Sequence, residues 1–111
     1  MANPTFWIKR NDDNPSLDVA LHDDRDRAVD LTGATIVFHM RNTADDTVKI
    51  SGGSVSILNA TRGEVRFTFS TTNTDTAGNY EAEFQVTFTG GGVETFPNDS
   101  YIDIIISEDV V

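Results

Sequence analysis

One segment constrains this chain more than any other. Between Tyr80 and Phe88 the residues Tyr80, Ala82, Phe84, Val86 and Phe88 alternate with Glu81, Glu83, Gln85 and Thr87. Successive side chains of a strand point to opposite faces, so this period of two describes a strand with one face on a core and the other in water. A helix would scatter the same residues around its circumference.

The rest of the chain repeats the pattern in shorter pieces. Leu17, Val19 and Leu21 alternate with polar or small residues; so do Ile36, Phe38 and Met40, and again Val65, Phe67 and Phe69. Phe6-Trp7-Ile8, following Pro4, reads as a first edge strand, and the run from Tyr101 to Ile106 as the last. Val48 and Ile50 are answered by Val55 and Ile57 across Gly52-Gly53, and Gly90-Gly91-Gly92 leads to a return strand ending at Phe96. One loose helical turn is all that 71–77 allows. Short strands with turn residues every 8–12 positions predict two packed antiparallel sheets. The expectation is an all-β, immunoglobulin-like antiparallel sandwich of about 7–9 strands forming a single domain over residues 1–111, a length suited to one core.

Charge and composition exclude several functions. The chain has no cysteine, so disulfides, thiol nucleophiles and thiolate metal sites are out. Its net charge is −10 and its isoelectric point about 4.3, which argues against nucleic acid as a partner. All eight basic residues lie between Lys9 and Arg66, while the chain from Phe67 onward carries acids and no base. No signal peptide and no membrane-length apolar run is recognisable, which points away from membranes and toward a protein made in the cytoplasm that reaches its place by assembly.

No catalytic constellation assembles. His22 and His39 both fall on polar sides of their strands, and no nucleophile stands in a motif that would use them. The glycine runs lack the spacing and following lysine of a phosphate loop. The acid-rich turns, such as Asp23-Asp24-Arg25-Asp26-Arg27, do not match a calcium loop and carry their own cations. The reading is therefore a non-enzyme with no cofactor and no metal.

Two stretches carry resemblances. Thr76-Ala77-Gly78-Asn79-Tyr80-Glu81-Ala82 resembles the tyrosine corner of immunoglobulin-like domains, with Gly78 suiting a tight turn and Tyr80 placing a phenol in the core. Antibody domains carry a cysteine two residues after that tyrosine; here the position is Ala82. Further, Asp30-Leu31-Thr32-Gly33-Ala34-Thr35-Ile36-Val37-Phe38-His39-Met40-Arg41, then Asp75 through Phe84, then Glu94-Thr95-Phe96-Pro97-Asn98-Asp99 together resemble the N-terminal immunoglobulin-like domain of the upper-baseplate-protein family of tailed phages. The likeness runs in order from Ser16 to Ile106. It implies a virion structural domain that attaches tail or receptor-binding parts to the particle.

Apolar residues left outside by the alternation are the interface candidates. Trp7 and Ile105 are out of phase with their apolar neighbours, Val37 shares the polar face with His39, and Phe96 ends an edge strand. If they cluster they form a patch with an aromatic anchor. The partners expected are other virion structural proteins in the tail, baseplate or neck, with several copies in a symmetric assembly. Two other readings stay open: a decoration protein on the phage head, and a carbohydrate- or cell-surface-binding module.

Overall fold

The computed structural model describes residues 4–110. Nine strands follow one another: β1 (Thr5–Lys9), β2 (Leu17–Ala20), β3 (Thr35–Asn42), β4 (Val48–Ser54), β5 (Ser56–Asn59), β6 (Glu64–Phe67), β7 (Gly78–Thr87), β8 (Val93–Phe96) and β9 (Ile102–Ser107). They form two sheets. The larger runs β1-β9-β7-β3-β4 with β8 also against β7, and the smaller runs β2-β6-β5. Two sheets packed face to face make this an all-β sandwich of immunoglobulin-like kind, with β4 as a single extra strand beyond β3 on the larger sheet. No helix forms among the described residues, and 71–77 is a series of turns.

The segment with the strictest alternation becomes β7, the centre of the larger sheet. It pairs with β3 from Thr35↔Thr87 to Asn42↔Tyr80, the longest register in the molecule. Its other edge is shared: β8 pairs from Thr87↔Val93 to Phe84↔Phe96, and β9 from Ala82↔Ile102 to Gly78↔Ile106. β8 and β9 are thus one strand interrupted by the loop 97–101.

Two features depart from the alternation's plain reading. First, β1 pairs with β9 in parallel, from Thr5↔Asp103 to Lys9↔Ser107. The first and last strands therefore run the same way, and the larger sheet is mixed. Second, Gly52-Gly53 is no hairpin turn. β4 runs through both glycines and β5 belongs to the other sheet. Between Phe38↔Gly53 and Met40↔Ile50 the register shifts, which is a β-bulge, and Gly52 takes the left-handed φ of +75° that such a bulge requires. A Cβ on Gly53 would lie 2.7 Å from the Phe67 ring, so that glycine makes room for the core.

The core is one cluster of buried apolar side chains drawn from both sheets. At its centre Phe38, fully buried, stacks on Phe67 at 4.2 Å between ring centroids and meets Phe84 edge-on at 5.1 Å. Phe69 closes the group at 5.0 Å from Phe67. Burying each such side chain stabilises the fold by roughly 1.5–3 kcal/mol, with about 0.5–1.5 kcal/mol more from each aromatic pair. Phe38 comes from the larger sheet and Phe67 from the smaller, so this stack ties the two layers.

Tyr80 is buried, and its hydroxyl donates to the Thr76 carbonyl at 2.7 Å. Gly78 does not sit in the turn before the strand. It is the first residue of β7, paired with Ile106, at φ +154°. Replacing Tyr80 with Phe removes the hydroxyl and strands the Thr76 carbonyl. The expected cost is about 1–2 kcal/mol by urea denaturation, with circular dichroism unchanged.

Candidate functional site

The outward face of the larger sheet carries most of the residues the sequence singled out. Cross-strand register arranges them in rows. Trp7, Ile105 and Asn79 form one row across β1, β9 and β7; Thr5, Asp103, Glu81, Arg41 and Val48 form the next, reaching β4. Beyond them stand Glu83 with His39, and then Gln85 with Val37 and Ser54.

Trp7 is 62% exposed, the largest open aromatic surface among the described residues, and Ile105 beside it is half-buried. Val37 lies on the same face but not in the same patch. Asn79, which faces Ile105, and Gln85, which faces Val37, are six residues apart on β7, about 20 Å along a strand. Acids fill the interval: Asp103, Glu81 and Glu83. The candidates therefore divide into a Trp7–Ile105 pair and a separate Val37–His39 pair.

Phe96 belongs to neither. It is 1% exposed and pairs with Phe84, pointing into the core. The edge position of β8 leaves its backbone open, but the period of two turns the Phe96 ring inward. Phe96 is accordingly a core residue and drops out of the interface. Val93 on the same strand and Val48 on β4 are open apolar residues that the alternation did not single out.

His39 is held on both ring nitrogens. The Gly52 N–H donates to Nδ1 at 3.0 Å, so the ring proton sits on Nε2, which donates to the Gln85 side-chain oxygen at 2.8 Å. His39 thus braces the β4 bulge from outside. Next to it Arg41 lies 5.3 Å over the Tyr101 ring and reaches Glu81 at 3.4 Å. The Tyr101 hydroxyl, and then Glu81, hold the Arg41 guanidinium still more firmly protonated than usual. An open groove of about 260 Å³ runs between these residues and Val48.

The acidic turns are satisfied internally. Asp23 accepts from the Arg25 and Arg27 amides, both at 2.9 Å, and pairs with the Arg27 guanidinium. The Arg27 amide is the first cause of the lowered Asp23 pKa. Among the described residues no group of three His, Asp or Glu side chains converges on a point where a cation would sit. On the smaller sheet Asp18 and Arg66 form a two-pronged pair at 2.8 and 2.9 Å, and the Arg66 hydrogen bond holds the Asp18 carboxyl below its ordinary range.

Two outcomes follow from these contacts. Replacing His39 with Ala leaves the Gly52 amide without its acceptor. The expected loss is about 1 kcal/mol in denaturation, with Gly52 amide exchange speeding up selectively. Asp18, whose folded pKa is depressed, supports the fold above its unfolded pKa and ceases to as pH falls through the folded value. A carbon-detected NMR titration should place the Asp18 midpoint below 3.8, and Arg66→Met should return it there.

Comparison with known families yields one finding. A family model described as the BppU N-terminal domain matches residues 5–96, which spans β1 through β8 and leaves β9 outside the matched region. No curated protein matches the chain.

Proposed function

The chain belongs to the BppU N-terminal domain family of phage baseplate upper proteins, and from that premise we propose that it serves as an adaptor, holding other virion proteins together at the baseplate. The family is a structural one. The observation that carries the adaptor reading is the exposed Trp7 beside half-buried Ile105 on the outer face of the larger sheet.

Trp7 has the features of a binding anchor. It is large, it projects from a strand fixed at both ends of its register, and it stands next to a second apolar side chain. Contacts of this kind dominate interfaces, while the polar residues around them supply orientation. Acids around Asp103 and Glu81 favour a basic rim on the partner. In this reading the domain works by contact and carries out no catalysis. His39 is committed to the fold through both ring nitrogens, and His22 is an exposed residue whose Nδ1 rests on the Ala20 carbonyl at 3.1 Å. Baseplates are built around an axis, so several copies should sit in a ring. The protein reaches that place by assembly in the host cytoplasm.

Immunogold labelling of purified particles tests the position, with gold expected at the tail tip; gold over the head would overturn the adaptor reading. The contact is tested by Trp7→Ser. Losing one buried anchor costs about 2 kcal/mol of binding, roughly thirtyfold. Incorporation into particles should fall accordingly while the melting curve of the isolated chain stays in place. Undiminished incorporation would remove Trp7 from the interface.

A further inference from the structure

The smaller sheet has an open strand position. β2 pairs with β6 on one side, and among the described residues nothing pairs with it on the other. Sandwiches of this class commonly hold a further strand there, in the order ABED. Here the first strand, β1, pairs with β9 in the other sheet instead.

Register identifies which backbone groups are left over. The Leu21 amide donates to the Gly63 carbonyl, in step with the Val19↔Val65 and Leu17↔Phe67 pairs. Hydrogen bonding alternates along an antiparallel strand, so Leu17, Val19 and Leu21 are directed to β6. Asp18 and Ala20 present their amides and carbonyls to the open side.

A cleft of about 660 Å³ runs along this edge. Leu21, Ile102 and Phe96 edge its floor, and Val19 and Pro97 contribute its half-buried walls. Asp26 and Asp99 stand on its rim. An added strand would place alternate side chains on that apolar floor and the others in solvent on the outer face of the smaller sheet. The acidic rim favours lysine or arginine at the entry, and a net charge of −10 per chain disfavours a second copy as the occupant.

We propose that this cleft takes an extended segment of a basic partner protein, one that alternates apolar residues with Lys or Arg and adds as a strand to the free edge of β2. Main-chain hydrogen bonds to Asp18 and Ala20 supply affinity and the apolar floor supplies register. The His22 ring, which rests on the Ala20 carbonyl, must swing aside for the incoming strand. This surface is separate from Trp7, and the inference does not depend on where in the virion the protein sits.

The test uses the full chain, labelled for NMR, and two synthetic peptides: one alternating valine and lysine, one alternating valine and glutamate. The lysine peptide should shift the Asp18, Ala20 and Leu21 amides and slow exchange at Asp18 and Ala20, and the glutamate peptide should not. Ala20→Pro removes an amide that no strand among the described residues uses, so melting should be unchanged while peptide binding weakens roughly tenfold or more. Asp99→Lys, in an exposed loop, should weaken the lysine peptide and admit the glutamate one.

Silence of the β2 amides toward the lysine peptide would overturn the proposal. So would equal binding by Ala20→Pro, or shifts confined to the Glu81 and Asp103 face. If deleting Met1–Asn3 alone exposes the Asp18 and Ala20 amides to exchange, the chain fills its own cleft and the partner reading fails.

Discussion

The contact between Phe38 and Phe67 is the one on which the two sheets depend. Antibody domains join their layers with a disulfide packed against a tryptophan. This chain has no cysteine, and the residue two places after Tyr80 is Ala82, buried and small. The space goes to aromatic rings: Phe38 from the larger sheet lies flat on Phe67 from the smaller, with Phe69 and Phe84 edge-on around them. An edge-on and stacked group fixes the separation and angle of the layers without a covalent link, and it works equally well in a reducing compartment. Gly53 belongs to the same arrangement, because any side chain there would strike the Phe67 ring.

That dependence explains what could be read from residues alone. Strands whose two faces differ in polarity were legible: β7, β3, β2 and β6 follow directly from their alternation. The corner at Tyr80 was legible because a tyrosine, a glycine and a buried strand stand at a fixed spacing. What alternation does not encode is pairing. It names the faces of a strand and not its neighbours, so the parallel β1–β9 pair, the passage of β4 through Gly52-Gly53 and the interruption between β8 and β9 come only from the folded chain.

The same limit governed the candidate surface. Exposure of Trp7 followed from its phase within β1, since Phe6 and Ile8 both face inward. Phe96 misled because the end of an edge strand suggests an open side chain, whereas only its backbone is at the edge. Val37 and Ile105 do share a face, but two half-buried residues separated along β7 by Glu81 and Glu83 make no continuous apolar area. Arg41 over Tyr101 is illegible for a similar reason: the two are sixty positions apart in sequence and meet only because β3 and the loop leading into β9 lie on either side of β7.

The same sheets leave free edges that the fold must manage. A sheet edge invites other strands, and proteins that must stay separate until assembly protect it. β4 is interrupted by its bulge, which His39 braces. β5 is only four residues long. β1 ends in Lys9 and follows Pro4, both poor partners for an incoming strand. β2 has no such device except the His22 ring on the Ala20 carbonyl, a single weak contact that an approaching strand can displace. Like charge supplies the remaining protection, because copies at −10 each repel one another. Three edges, β1, β4 and β5, are thus protected by length, bulge or sequence, whereas β8 and β2 keep a free backbone side.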